Sequence, residues 1–221
     1  FEVKIIDLDP ESAGSYYGLV KDKKGNMIGR LTITITQDGA YSGKLDGINR
    51  SKRFFKGFIK SDYSASALTR NIFWRLSTIG FSISQSDSGY YRIAGHFQNL
   101  SDVEPNHFFY GLRKSIYNAN NPLPWSMRGR YTMLMPSPST TDEGLPAGDG
   151  FAVGNMWRAG VLKLWGYSNS GAKFSYSSPM LEGNEVIFFT RPYGGLEALL
   201  GKIWFRNWWK TDFKGKLRYA R

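Results

Sequence analysis

The sequence predicts an all-β, antiparallel, glycine-kinked barrel-like domain built from two related halves. Three observations carry this: period-two alternation along most of the chain, glycines set between bulky residues inside strands, and an opening motif that occurs twice. The stretch GRLTITITQDGAYSGKL (29–45) puts Leu31, Ile33 and Ile35 on one face and Thr32, Thr34 and Thr36 on the other. Side chains alternate across a strand, so this is the signature of a half-buried one. The Asp38-Gly39 that follows supplies the φ > 0 geometry of a tight hairpin.

Similar short strands are placed at 14–21, 51–60, 74–85, 89–98, 107–115, 128–135, 149–156, 160–167, 172–178, 185–191, 197–206 and 213–219. Turn signals lie between them at Lys24-Gly25-Asn26, Asp87-Ser88-Gly89, Asn169-Ser170-Gly171 and Glu182-Gly183-Asn184. No segment reads as an amphipathic helix. Leu196 to Leu200 offers one turn at most.

The order bulky, polar or small, Gly, any, bulky recurs within these strands. It is found in Tyr41-Ser42-Gly43-Lys44-Leu45, Phe55-Lys56-Gly57-Phe58-Ile59, Ile93-Ala94-Gly95-His96-Phe97 and Phe213-Lys214-Gly215-Lys216-Leu217. Each copy shows one face a large, an absent and a large side chain. A glycine there lets the strand bend, or lets a neighbouring ring lie over bare backbone. Both are devices of strongly curved sheets and barrels.

The opener Gly14-Ser15-Tyr16-Tyr17-Gly18-Leu19 resembles Gly129-Arg130-Tyr131-Thr132-Met133-Leu134. Each is followed by a glycine-punctuated hairpin (29–45; 150–167) and then an aromatic strand (Phe54 to Phe58; Phe174 to Tyr176). The seam between them is Asn118-Ala119-Asn120-Asn121-Pro122-Leu123-Pro124-Trp125, where two prolines interrupt strand pairing. The expected organisation is a first half at 1–117, a connector at 118–127 and a second half at 128–221. The halves either close separately or form one joint barrel.

Composition bounds the function. The 221 residues are 41% hydrophobic, as in a packed domain rather than a disordered chain. No apolar run approaches the roughly 18 residues of a membrane helix. A membrane barrel is disfavoured because Lys52 and Lys56 lie on the face opposite Arg53 and Phe55, so both faces of that strand are charged. There is no cysteine, which removes disulfides, thiolate metal sites and cysteine nucleophiles. A formal charge of +11 favours anionic partners. A sequence that starts at Phe1 rather than Met, and whose front does not read as a secretory signal, is expected of a mature or excised product.

Arg113-Lys114-Ser115-Ile116-Tyr117, Gly129 to Pro136 and Pro146-Ala147-Gly148-Asp149-Gly150-Phe151 together resemble a glycine- and aromatic-rich β-module. That module stands near the C-termini of large exported bacterial surface proteins. Tyr41 to Leu45, and Gly195-Leu196 with Leu200 to Phe205, fit its flanking positions, so the resemblance spans most of residues 12 to 206. The segment Asn155-Met156-Trp157-Arg158 departs from it, where a plainer Thr/Val strand is usual. The resemblance implies an all-β architecture and an extracellular or cell-surface location. It carries no catalytic group.

The residues that could carry chemistry point away from an enzyme. Gly166-Tyr167-Ser168-Asn169-Ser170-Gly171 is one residue too long for a nucleophile elbow and reads as a turn between strands. His96 and His107, the only histidines, read as ordinary strand residues. Asp7, Asp9 and Glu11 form the densest acidic group, but no glycine-turned calcium loop follows. Pro10 and Ser12 suggest a turn there instead, and Asp149 reads as a turn cap. No cofactor is expected.

Basic and aromatic residues interleave at Lys52 to Lys56 and at Arg206-Asn207-Trp208-Trp209-Lys210. In a strand this pattern means ring inside and charge outside, so no specific nucleic-acid partner is expected. In IWFRNWWK, alternation puts Ile203 and Phe205 on the core face and Trp204 and Arg206 on the other. Trp208 and Trp209, with Arg206 and Lys210, are the candidate ligand-binding residues. The expected function is a non-enzymatic structural, assembly or adhesive module. Its partners would be protein subunits of a surface assembly, or anionic or polysaccharide surface polymer. The alternative is carbohydrate binding through exposed tryptophan.

Overall fold

A computed structural model describes residues 8–70, 76–101, 104–137, 148–192, 197–206 and 213–220. The chain divides into two units, Phe1–Ser115 and Ile116–Arg221. The first contains β1 (Gly14–Asp22), β2 (Met27–Ile35), β3 (Ala40–Gly47), β4 (Lys52–Phe58), β5 (Ser64–Arg70), β6 (Leu76–Gln85), β7 (Tyr91–Asn99) and β8 (His107–Lys114). They form a closed antiparallel barrel in which β8 returns to pair with β1.

The second unit contains β9 (Gly129–Met135), β10 (Gly150–Met156), β11 (Val161–Tyr167), β12 (Lys173–Pro179), β13 (Glu185–Thr190), β14 (Ala198–Phe205) and β15 (Phe213–Ala220). Here a four-stranded sheet, β12-β11-β10-β9, and a three-stranded sheet, β13-β14-β15, enclose a common core. Among the described residues there is no α-helix, only one-turn 3-10 segments at Pro10–Ser12 and Trp125–Met127. Among the described residues no helix is long and apolar enough to cross a membrane. β5 is absent from the sequence expectation: SASALTR alternates, but its inward residues are only Ala65, Ala67 and Thr69. Small side chains give little hydrophobic contrast.

One turn design joins most neighbouring strands. The first turn residue donates its N–H to the carbonyl four residues on, and the fourth residue donates back to the first. Thr36 to Ala40, Ser86 to Tyr90, Trp157 to Val161 and Ser168 to Ala172 all close this way. The fourth residue lies at positive φ, as at Gly39 (81°), Gly160 (70°) and Gly171 (78°). Three non-glycines hold the same conformation: Arg50, Tyr63 and Asn184. Tyr63 tolerates this because its ring packs against the barrel core and its hydroxyl accepts the Asp9 N–H at 3.4 Å.

The barrel interior shows why glycine recurs between bulky residues. The registers Tyr41↔Gly57 and Gly43↔Phe55 place each ring of β3 and β4 opposite the other strand's glycine. The expectation of a ring over bare backbone is met twice, reciprocally. A Cβ built on Gly43 would lie 2.0 Å from Phe55 Cζ, and one on Gly57 would lie 2.7 Å from the Tyr41 hydroxyl. Tyr41, Phe55, Phe81, Phe97 and Phe109 continue the core as a chain of tilted and edge-to-face rings. Such pairs add to the area they bury. The outward rows of β1–β4 carry Ser15, Thr34, Ser42 and Lys56, then Tyr17, Thr32, Lys44 and Phe54.

The repeat read from the openers extends well beyond them. Gly14 pairs with Ile35 and Gly129 with Met156, at φ of 140° and 136°. Tyr16 Oη donates to Ser12 O at 2.6 Å, and Tyr131 Oη donates to Met127 O at 2.8 Å. Leu8 and Leu123, ahead of the two 3-10 turns, are both buried. Downstream, Ile59 N–H donates to Gly39 O, and Met180 N–H donates to Gly160 O. Ile83 N–H reaches Tyr63 O as Phe205 N–H reaches Asn184 O. Unit 2 is thus a second copy of the scaffold of β1 to β7.

This buried tyrosine bond supports a prediction. Tyr131→Phe leaves the Met127 carbonyl without that donor and should cost about 1–2 kcal/mol in denaturant unfolding. A loss below roughly 0.3 kcal/mol would show the bond to be incidental.

Candidate functional site

The described tryptophans all lie outside the cores. Trp125 is 82% exposed, Trp157 53%, Trp165 49% and Trp204 36%, while the cores are built from Leu, Ile, Met, Phe and Tyr. Large rings left in water represent unclaimed apolar area, so their placement is informative.

Two of them line a pocket in the second unit, of about 540 Å³, together with Pro122, Arg128, Met156 and Arg158. Leu123 fixes its walls. Its side chain is fully buried, and its N–H donates to Arg158 O at 2.8 Å. Its carbonyl accepts Arg128 Nε at 2.6 Å. The connector segment is thereby tied to the β10–β11 turn and to Arg128 through one residue. Pro122 and Pro124 restrict φ on either side of it. The Arg128 guanidinium carbon then sits 4.3 Å from the Trp125 ring centroid, a cation–π contact. Trp157 opens the hairpin turn, and Gly160 N–H donates to its carbonyl.

A second surface is the outward face of β9–β12. Pairing sets Leu134, Phe151, Tyr167 and Lys173 in one row and Thr132, Val153, Trp165 and Ser175 in the next. Leu134, Phe151, Trp165 and Tyr167 are exposed. The Phe151 and Tyr167 rings lie 5.4 Å apart, with Lys173 Nζ 5.8 Å from the Tyr167 centroid. The first unit carries a different groove, of about 880 Å³, on the outside of β2–β4, lined in part by Arg30, Lys44, Asp46, Phe54 and Lys56. Asp46 pairs there with Lys44 at 2.9 Å and Arg30 at 3.5 Å.

Of the residues chosen from sequence, Arg206 is exposed just beyond β14, and Trp204 shares the outward face as expected. Ile203 and Phe205 are buried. Trp208, Trp209 and Lys210 lie outside the described residues. Trp125 and Trp157 lie outside the residues expected from sequence, although each carries a signal. Trp125 follows the Pro-Leu-Pro of the connector. Trp157 falls in the segment that departs from the resembled module.

Ser168, Ser170 and Asp149 make local structural contacts. Ser168 to Ala172 is the β11–β12 turn, and Ser168 Oγ and Ser170 Oγ are hydrogen-bonded to each other at 2.8 Å. Asp149 Oδ1 accepts Ser137 N–H at 2.7 Å, joining the two ends of the loop that connects β9 to β10. His96 lies within β7, and His107 opens β8. Among the described residues no cluster of three or more His, Asp or Glu is placed to hold a metal ion. Asp7 lies outside the described residues.

Asp9 caps the first 3-10 turn by accepting Glu11 N–H at 2.8 Å, and its other oxygen accepts the Tyr91 hydroxyl at 2.6 Å. The Tyr91 bond, then the Glu11 bond, hold the Asp9 carboxyl below its ordinary value. The same bond pushes the Tyr91 phenol up to about 12. The lowered acid stabilises the fold above its unfolded value of 3.8, and this is lost as pH falls through the folded one. The raised phenol stabilises below its unfolded value of 10.0, and this is lost as pH climbs towards about 12. The stability gap between wild type and Tyr91→Phe should therefore be flat between these windows and shrink on both sides. A gap independent of pH in denaturant titrations would contradict the assignment.

No protein-family model matches the chain, and neither a curated protein nor a solved structure does. The fold and surfaces define an all-β protein of two scaffold copies, with aromatic groups displayed outside its cores.

Proposed function

We propose that this chain is a non-enzymatic structural, assembly or adhesive module of an exported bacterial protein, contacting other subunits or a surface polymer. The observation that carries this reading is the outward face of β9–β12. There a regular sheet holds Leu134, Phe151, Trp165 and Tyr167 in adjacent rows and leaves them exposed. Contiguous exposed apolar groups on a rigid sheet suit an interface, and the formal charge of +11 adds attraction to anionic surfaces. The resemblance to exported surface modules supports the location.

The test is sedimentation of the purified chain, alone and with bacterial cell-wall polymer. Self-assembly or co-sedimentation is expected, and Phe151→Ser with Trp165→Ser should abolish it. A chain that stays monomeric and pellets with no wall polymer is not such a module. A second reading, carbohydrate binding, is favoured by the exposure of every described tryptophan. The pocket lined by Trp125 and Trp157 is the site on which this reading rests.

A further inference from the structure

The two copies of the scaffold allow a comparison within one chain. Register and turn hydrogen bonds equate Gly14 with Gly129, Ile35 with Met156 and Gly39 with Gly160. The positions of Trp125, Arg128, Trp157 and Arg158 are then those of Pro10, Ala13, Thr36 and Gln37. The first copy builds the same 3-10 turn, the same tyrosine bond and the same hairpin without an aromatic ring or a cation at these four places. The fold therefore does not require them. In the second copy all four are present, and they converge on one pocket.

We infer that this pocket is a binding site for an acidic sugar, a uronate unit of a polysaccharide. This rests on the carbohydrate reading and deepens it. The pocket's six lining residues include two indoles, two guanidinium groups and no carboxylate. Its preferred ligand therefore joins an apolar ring face to an anionic group. A pyranose ring offers its C–H face to an exposed indole, and a carboxylate matches the planar donor fork of arginine. Arg128 already covers Trp125 on one side at 4.3 Å, so Trp157 and Arg158, both exposed on the hairpin turn, remain open to ligand.

The volume of about 540 Å³ lies within the range of small-ligand sites. Preorganisation favours binding as well. The ties from Leu123 to Arg128 and Arg158 hold both walls before a ligand arrives, which lowers the ordering cost. A nucleic acid would use the same stacking and charge, but it would need cations that track successive phosphates, and the pocket supplies only two.

The experiment is titration calorimetry of the full chain with three probes: a short oligogalacturonide, a neutral oligosaccharide of matched length and a single-stranded oligonucleotide. The oligogalacturonide should bind, with affinity that falls as salt rises. Trp125→Ala and Trp157→Ala should each weaken it by about tenfold or more. Arg158→Gln should weaken it and flatten the salt dependence, whereas Gln37→Ala, at the matching position of the first copy, should leave it unchanged. Thermal melts confirm that each variant is folded. Oligogalacturonide binding that survives both tryptophan variants overturns the site but leaves the carbohydrate reading standing. Equal binding of the neutral oligosaccharide overturns the acidic specificity. Binding of the oligonucleotide alone, or of no probe, overturns the inference and the carbohydrate reading together.

Discussion

Gly43→Ala should destabilise the first unit by about 3 kcal/mol, and Phe55→Ala introduced with it should recover part of that loss. An added Cβ at Gly43 would meet Phe55 Cζ at 2.0 Å, inside a core where Phe55 is buried. Overpacking of this kind costs about 1–3 kcal/mol, and a ring trapped among neighbouring rings puts the effect at the upper end. Phe55→Ala alone removes a core ring and should cost about 3–5 kcal/mol. In the double variant the new methyl enters space the ring has left, so the two losses should fall short of adding. A double-mutant cycle by denaturant unfolding measures the coupling. Simple additivity would mean that ring and glycine do not share one space.

Gly154→Ala should cost at least as much, and no side-chain deletion should rescue it. Its Cβ would lie 1.8 Å from the Lys163 carbonyl oxygen and 2.9 Å from Leu164 Cα, both backbone atoms of the paired strand β11. A ring can be cut away, but a ladder carbonyl can move only if the strands separate. The expected result is loss of cooperative unfolding of the second unit, read by near-ultraviolet circular dichroism. The Leu164→Ala background should leave it unimproved. A near-native melting temperature for Gly154→Ala would show that the β10–β11 pair can open at little cost.

Gly43 and Gly57 show how far the sequence carries. Alternation and the Asp-Gly turn placed β2 and β3 correctly, and the bulky-polar-Gly word identified both Gly43 and Gly57. The sequence does not state register, so it could not say that these two glycines serve each other's rings. β5 stayed hidden for a related reason. Its preceding turn puts Tyr63, not glycine, at positive φ, and its inward residues are small. The β3–β4 turn likewise puts a non-glycine, Arg50, at positive φ, but the strands on both sides of it are legible from alternation.

The repeat was legible at its openers, because Gly-x-Tyr is a local word tied to a bond between Tyr16 or Tyr131 and a carbonyl four residues back. The candidate site was less legible. Trp208 and Trp209 drew notice because they are adjacent. Trp125 and Trp157 stand far apart in the chain and line one pocket, where Leu123 N–H ties the connector to Arg158 in the β10–β11 turn. The signal that separates them from ordinary aromatics is the comparison of copies, which requires the register of both. Once aligned, Pro10, Ala13, Thr36 and Gln37 show what the scaffold needs at those positions, and the second copy shows what has been added.

We propose that the second copy carries a binding site on a scaffold the first copy uses bare. It is tested most directly by recording the indole N–H resonances of nitrogen-labelled protein while oligogalacturonide is added. The Trp125 and Trp157 signals should shift together and saturate with one affinity, while backbone signals of Thr36 and Gln37 stay in place. Shifts confined to other tryptophans, or none at saturating oligogalacturonide, would contradict it.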